Sequence, residues 1–222
     1  MVKMVAFDLD GTVCDSIPFC IEAFKKAASA YTGGILTEKE IVNTFGLNEA
    51  GMMKAIVKTD WENALDDFYG YYEKMHDKCT APFDGVYELI TCLKRKHVIV
   101  PLVTGKGERS CRITLKKIGL DGVFDKILTG SDTHPNKGEL ILSLLSEYSI
   151  RKEEFFYVGD AVSDLEACNA IGVTCLSAAW GQNNSLPELK IQNPQYTFES
   201  VSKLEGFLMV AVAGKSNTVD GK

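Results

Sequence analysis

The chain has 222 residues, is 45% hydrophobic and carries a formal net charge of −6 with a pI of about 5.2. This is enough for one core domain with a smaller module attached, and enough apolar material to fill a core. The acidic balance, with Lys94-Arg95-Lys96 as the longest basic run, argues against a nucleic-acid binder, and no apolar stretch approaches a membrane span.

The first apolar run, Met4 to Phe7, predicts a short strand that ends on Asp8-Leu9-Asp10-Gly11-Thr12. The residues before it are too few for a signal peptide. From Ser16 to Ala81 no strand pattern is present. Ile17 to Tyr31 predicts a helix ended by Gly33-Gly34. Thr37-Glu38-Lys39-Glu40 has the form of a capping box opening a second helix. A third helix is predicted from Glu49 to Lys58. A fourth runs from Trp61 to Cys79, with Leu65, Phe68, Tyr72, Met75 and Cys79 on one face.

From Phe83 the texture changes to alternating helix and strand. Helices are predicted over 84–96, 107–118, 137–148 and 163–171, and strands over 98–103, 126–129, 155–158 and 173–176. Pro101 removes one ladder donor from the second strand. The alternation predicts an α/β fold, a doubly wound, mostly parallel sheet in a Rossmann-like three-layer sandwich. The helical segment is an insertion. Residues 1–15 and 82–214 form the α/β core, 16–81 a helical cap, and 215–222 a tail expected to be disordered. Two connections make a hinge, which favours a mobile lid over a rigid insertion.

Seven cysteines are odd in number and lack CxxC spacing, so they read as reduced thiols in a cytoplasmic protein. Cys14 and Cys20 flank the site entrance, where packing at the hinge is the favoured role. His76, His97 and His134 have no metal-ligand spacing and are expected on the surface or in loops. Trp180-Gly181 is expected as a turn beside the site.

Ligands of parallel sheets collect beyond the carboxyl ends of the strands. Asp8 and Asp10 follow the first run, Thr104-Gly105-Lys106 the second, and Gly159-Asp160 through Asp164 the fourth, with Lys137 opening a helix between them. Carboxylates, a hydroxyl and ammonium groups at neighbouring strand ends suit phosphoryl transfer. One carboxylate attacks phosphorus, a second moves the proton, Mg²⁺ sits among the acids, and Thr and Lys hold phosphate oxygens.

These residues resemble the four motifs of the haloacid dehalogenase superfamily: Asp8-x-Asp10-Gly11-Thr12, Thr104, Lys137 and Gly159-Asp160-x-x-x-Asp164. The resemblance implies that Asp8 is the nucleophile and Asp10 the general acid and base. It implies phosphate binding by Thr104, with Gly105 and Lys106 beside it, and by Lys137. Lys106 and Lys126 compete with Lys137 for the motif lysine, and Lys137 is preferred. The implied Mg²⁺ ligands are Asp8, the Asp10 carbonyl and Asp160, with Asp164 as a ligand or a group just behind. The insertion resembles the C1-type cap of subfamily I. Departures are Gly138-Glu139, where many relatives have Pro after the Lys, and Ala161, where Ser is frequent.

Asp10 argues against dehalogenation, because dehalogenases lack this second acid. Cys20 stands where sugar-phosphate mutases of the β-phosphoglucomutase type place a His, which shifts the expectation toward hydrolysis. The stretch from Asp8 to Pro18 is similar to phosphoglycolate phosphatases and their pyrophosphatase neighbours. The expected function is therefore hydrolysis of a small phosphorylated metabolite. Pyrophosphatase, nucleotidase, mutase and, least of all, a non-catalytic phosphate-binding module are the alternatives. Thr44, Phe45, Gly46 and Glu49 sit where such caps carry their substrate-specificity loop; an ordinary helix–helix turn is the competing reading.

Overall fold

A computed structural model describes residues 1–181 and 186–214. The tail 215–222, expected to be disordered, lies outside the described residues. Strand β1 (Met4–Phe7) leads into four helices: α1 (Ile17–Thr32), α2 (Glu38–Val42), α3 (Glu49–Ile56) and α4 (Trp61–Met75). Then follow α5 (Val86–Arg95), β2 (Leu102–Val103), α6 (Glu108–Lys117), β3 (Ile127–Leu128) and α7 (Lys137–Glu147). The chain closes with β4 (Phe155–Gly159), α8 (Val162–Ile171), β5 (Thr174–Ala178), α9 (Leu186–Gln192), β6 (Thr197–Phe198) and α10 (Val201–Val212).

The sheet has the order β3-β2-β1-β4-β5-β6, and every pairing is parallel. The doubly wound three-layer arrangement is thus as expected. The strand period of two splits β1 between the layers. Val5 and Phe7 pack with Leu89, Leu115 and Leu204, on the α5, α6 and α10 side. Met4 and Ala6 pack with Ile141, Leu144 and Leu165, on the α7 and α8 side. From β1 the chain builds outward to β3, then returns across β1 to add β4. The order reverses at β1, so the crevice beyond its carboxyl end is the natural ligand site.

The helical insertion has an apolar core of its own. Phe24, Ile41, Met53, Phe68 and Tyr72 are fully buried together. Gly33 closes α1 in the left-handed conformation. Thr37 and Glu40 make the capping box reciprocally. The Phe68 ring stacks on Tyr72 with centroids 5.4 Å apart. Phe68→Ala is expected to cost about 3–5 kcal/mol, through lost burial and the cavity left behind; chemical denaturation checks this.

Two expectations need correction. The strand over 98–103 is reduced to Leu102–Val103. The Val100 N–H is taken by the Asp125 carboxylate at 2.7 Å and Pro101 has no N–H, so the ladder to β3 starts only at Leu102. His76 is not at the surface: it is fully buried at the end of the helical insertion. Its Nδ1 lies 2.9 Å from the Cys79 carbonyl and its Nε2 3.1 Å from the Thr114 hydroxyl. The last three elements, α9, β6 and α10, carried no sequence expectation, although Val201, Leu204, Leu208 and Val212 keep helical spacing on a buried face. No described helix is long and apolar enough to cross a membrane.

Candidate active site

The strand ends converge on one cavity of about 240 Å³. Its core side carries Asp8, Asp10, Thr104, Gly105, Lys106, Lys137, Asp160 and Asp164. Its other side, from the helical insertion, carries Ile17, Cys20, Phe45, Leu47, Glu49 and Met52, with Gly46 between. Of the residues expected in the specificity loop, Thr44 is not a lining residue. Its hydroxyl is spent on the Ile41 carbonyl at 2.6 Å. Lys126, the competing motif lysine, is paired with Glu147 elsewhere.

Asp8 continues β1 by donating its N–H to the Val158 carbonyl at 2.8 Å, which fixes its backbone at the sheet's centre. Its side chain is nearly inaccessible. Oδ2 accepts from the Lys137 ammonium at 3.1 Å, whereas Oδ1 is buried with no hydrogen-bond partner among the described residues. Lys137 opens α7 and also bonds Asp164. The other Asp164 oxygen accepts from the Ala161 N–H at 3.1 Å, so both its oxygens are engaged and the residue aims Lys137 at Asp8. Burial works against the Lys137 ammonium, but Asp164 and Asp8 hold its pKa well above the ordinary value.

Carboxylate oxygens of Asp8, Asp160 and Asp164 all lie within 4.8 Å of one another. Burial pushes the Asp8 carboxyl up to about 7; Lys137 pulls the other way, and Asp164 and Asp10 add to the rise. Burial, then Asp164 and Asp8, likewise raise Asp160 well above the usual carboxylate range. One ammonium stands among three buried acids, and Asp8 Oδ1 has no hydrogen-bond partner among the described residues. A hard divalent cation with oxygen ligands fits this donor set. Asp160 is held by the Thr12 hydroxyl at 3.2 Å. Gly11 has φ +77° and lies so close to the Asp160 carboxylate that a Cβ there would collide with it.

The Asp10 side chain leaves this cluster. Its Oδ1 is bonded by the Ser16 hydroxyl and lies 3.3 Å from the Lys106 ammonium. The ammonium of Lys106, a residue expected to bind phosphate, is thus directed at Asp10. Thr104 accepts the Lys106 N–H at 3.2 Å on its hydroxyl oxygen, which leaves the hydroxyl proton free to donate. The Trp180 indole N–H is bonded to the Thr12 carbonyl at 3.1 Å, pinning the motif turn. Thr12, Ser16 and Trp180 thus hold Asp160, Asp10 and the motif turn in place, yet none carries a sequence expectation of such a role. Only the short spacing of Thr12 and Ser16 from Asp10 hinted at one.

Residues 5–178 match the haloacid dehalogenase-like hydrolase family, and the chain belongs to it. PpaX of Caldanaerobacter subterraneus subsp. tengcongensis, provisionally named a pyrophosphatase, is 29% identical over 207 residues, covering 91% of this chain and 93% of that protein. A phosphoglycolate phosphatase of Pseudomonas syringae pv. tomato is 27% identical over 221 residues, covering 91% and 78%. The crystal structure of a hydrolase from Pseudomonas syringae superposes with a TM-score of 0.76 at 22% identity, over 93% of this chain and 98% of that one.

Proposed function

We propose that the protein is a Mg²⁺-dependent phosphomonoesterase that hydrolyses a small phosphoglycolate-like metabolite through an aspartyl-phosphate on Asp8. The observation that carries this reading is the buried, unpartnered Oδ1 of Asp8, beside Lys137 and at the point where the strand order reverses. In the first step an Asp8 oxygen bonds to phosphorus, the bond to the leaving oxygen breaks, and Asp10 gives that oxygen its proton. In the second step Asp10 takes a proton from water, the water oxygen bonds to phosphorus, and the bond to Asp8 breaks. Lys137 and the Thr104 hydroxyl hold the other phosphoryl oxygens. Mg²⁺, held by Asp8, Asp160 and the Asp10 carbonyl with Asp164 behind, would supply the charge that lets a carboxylate approach a phosphate. The seven free thiols suit a reducing, cytoplasmic setting.

The cavity is about 240 Å³ and is closed on the cap side by Ile17, Cys20, Phe45, Leu47 and Met52, which suits a small leaving group. Phosphate release with Mg²⁺ is to be measured over phosphoglycolate, sugar phosphates, nucleoside monophosphates, pyrophosphate and p-nitrophenyl phosphate. Release from the small monoesters, with one or a few preferred, is the expected result. No release from any monoester would overturn the reading, and preference for pyrophosphate would replace its substrate.

A further inference from the structure

The cap contributes one buried charge to the cavity, Glu49, and it is directed into the core. Glu49 lies in the first turn of α3 and is 2% exposed. Its Oε2 accepts the Gly107 N–H at 2.7 Å and its Oε1 the Ser110 hydroxyl at 2.5 Å. The Lys106 ammonium sits 3.4 Å from that Oε1 and 3.3 Å from Asp10 Oδ1. Lys106 is buried too, its ammonium 4.6 Å over the Tyr72 ring of the cap. A Cβ on Gly107 would stand 2.7 Å from Glu49 Oε2, so a side chain there would push the cap carboxylate away from the core backbone.

We propose that Glu49, acting through Lys106, is a positioning residue for Asp10, which makes docking of the cap and aiming of the proton donor one event. This rests on the reading of Asp10 as general acid. A buried ammonium is stable only between acceptors, and the cap supplies two of its three faces, Glu49 and Tyr72. Held between two carboxylates, Lys106 pins Oδ1 together with Ser16 and leaves Oδ2 for the leaving oxygen. Without the Glu49 charge the ammonium has Asp10 alone to pair with, and draws that carboxylate out of line. With the cap undocked, Lys106 loses Glu49 and Tyr72 together and the Gly107 N–H loses its acceptor. The same contact that shuts the cavity therefore sets the acid.

The test is leaving-group dependence, which a purely structural role does not produce. kcat/KM reports the steps through departure of the leaving group, where an alkoxide needs a proton and p-nitrophenolate does not. Glu49→Gln keeps the size and an acceptor for Gly107 while removing the charge. It is expected to lower kcat/KM for an alkyl phosphate such as glycerol phosphate about 10- to 100-fold more than for p-nitrophenyl phosphate. Lys106→Met is expected to show the same imbalance. If circular dichroism shows that Glu49→Gln does not fold, Ser110→Ala, which frees Glu49 Oε1, decides by the same ratio. Equal losses on both substrates would overturn the proposal. Asp10→Asn is the reference. If that variant shows no leaving-group dependence, the general-acid reading beneath the proposal has failed, whatever Glu49 does.

Discussion

Asp8→Asn is expected to reduce phosphomonoester turnover by on the order of 10⁴-fold or more, leaving the far-ultraviolet circular dichroism unchanged. An amide oxygen is a poor nucleophile toward phosphorus, and no neighbouring group can replace it. Asp160 and Asp164 lie in the same cluster, but each is held by its own bonds, to Thr12 for one and to Lys137 and the Ala161 N–H for the other. The fold should survive because the change removes an ionisable group whose burial is unfavourable, while the backbone bond from Asp8 to Val158 is untouched. Near-normal turnover of p-nitrophenyl phosphate by this variant would remove Asp8 from the chemistry.

Withdrawal of divalent metal is the second large effect. Chelation is expected to stop turnover, and added Mg²⁺ to restore it. Asp160→Asn is expected to lower turnover at least ~10²-fold and to raise the Mg²⁺ concentration needed for half-activation. The reason is the charge balance: three buried carboxylates share one ammonium, and Lys137 is already divided between Asp8 and Asp164. If Lys137 alone balanced the cluster, chelation would change nothing. Steady-state rates against Mg²⁺ concentration, for wild type and Asp160→Asn, distinguish the two.

Much of this arrangement was legible before any coordinates. Apolar runs that stop on Asp8, Thr104 and Asp160 are local patterns, and a parallel sheet sends such residues to one edge. The resemblance to haloacid dehalogenases supplied the order of roles, and the match over residues 5–178 supports the family. Local pattern fails where a side chain's partner is distant in sequence. Glu49 reads as one more acid opening a helix, yet its partners are Lys106, Gly107 and Ser110. Lys106 follows Thr104 in a motif and so reads as a phosphate ligand, but local pattern does not show that its long side chain reaches Asp10. His76 has one partner close in sequence, the Cys79 carbonyl, but the other, Thr114, comes from α6 of the core. The shortened β2 depends on Asp125, a side chain substituting for a strand.

The central claim is a covalent bond between Asp8 and phosphorus, and it can be observed directly. Wild-type protein turning over a monoester with Mg²⁺ is quenched in acid, digested and analysed by mass spectrometry. The account predicts a peptide spanning Asp8 that carries the mass of one phosphoryl group, lost on treatment with hydroxylamine and absent from Asp8→Asn. A phosphoryl group on any other residue, or one that survives in Asp8→Asn, would contradict it.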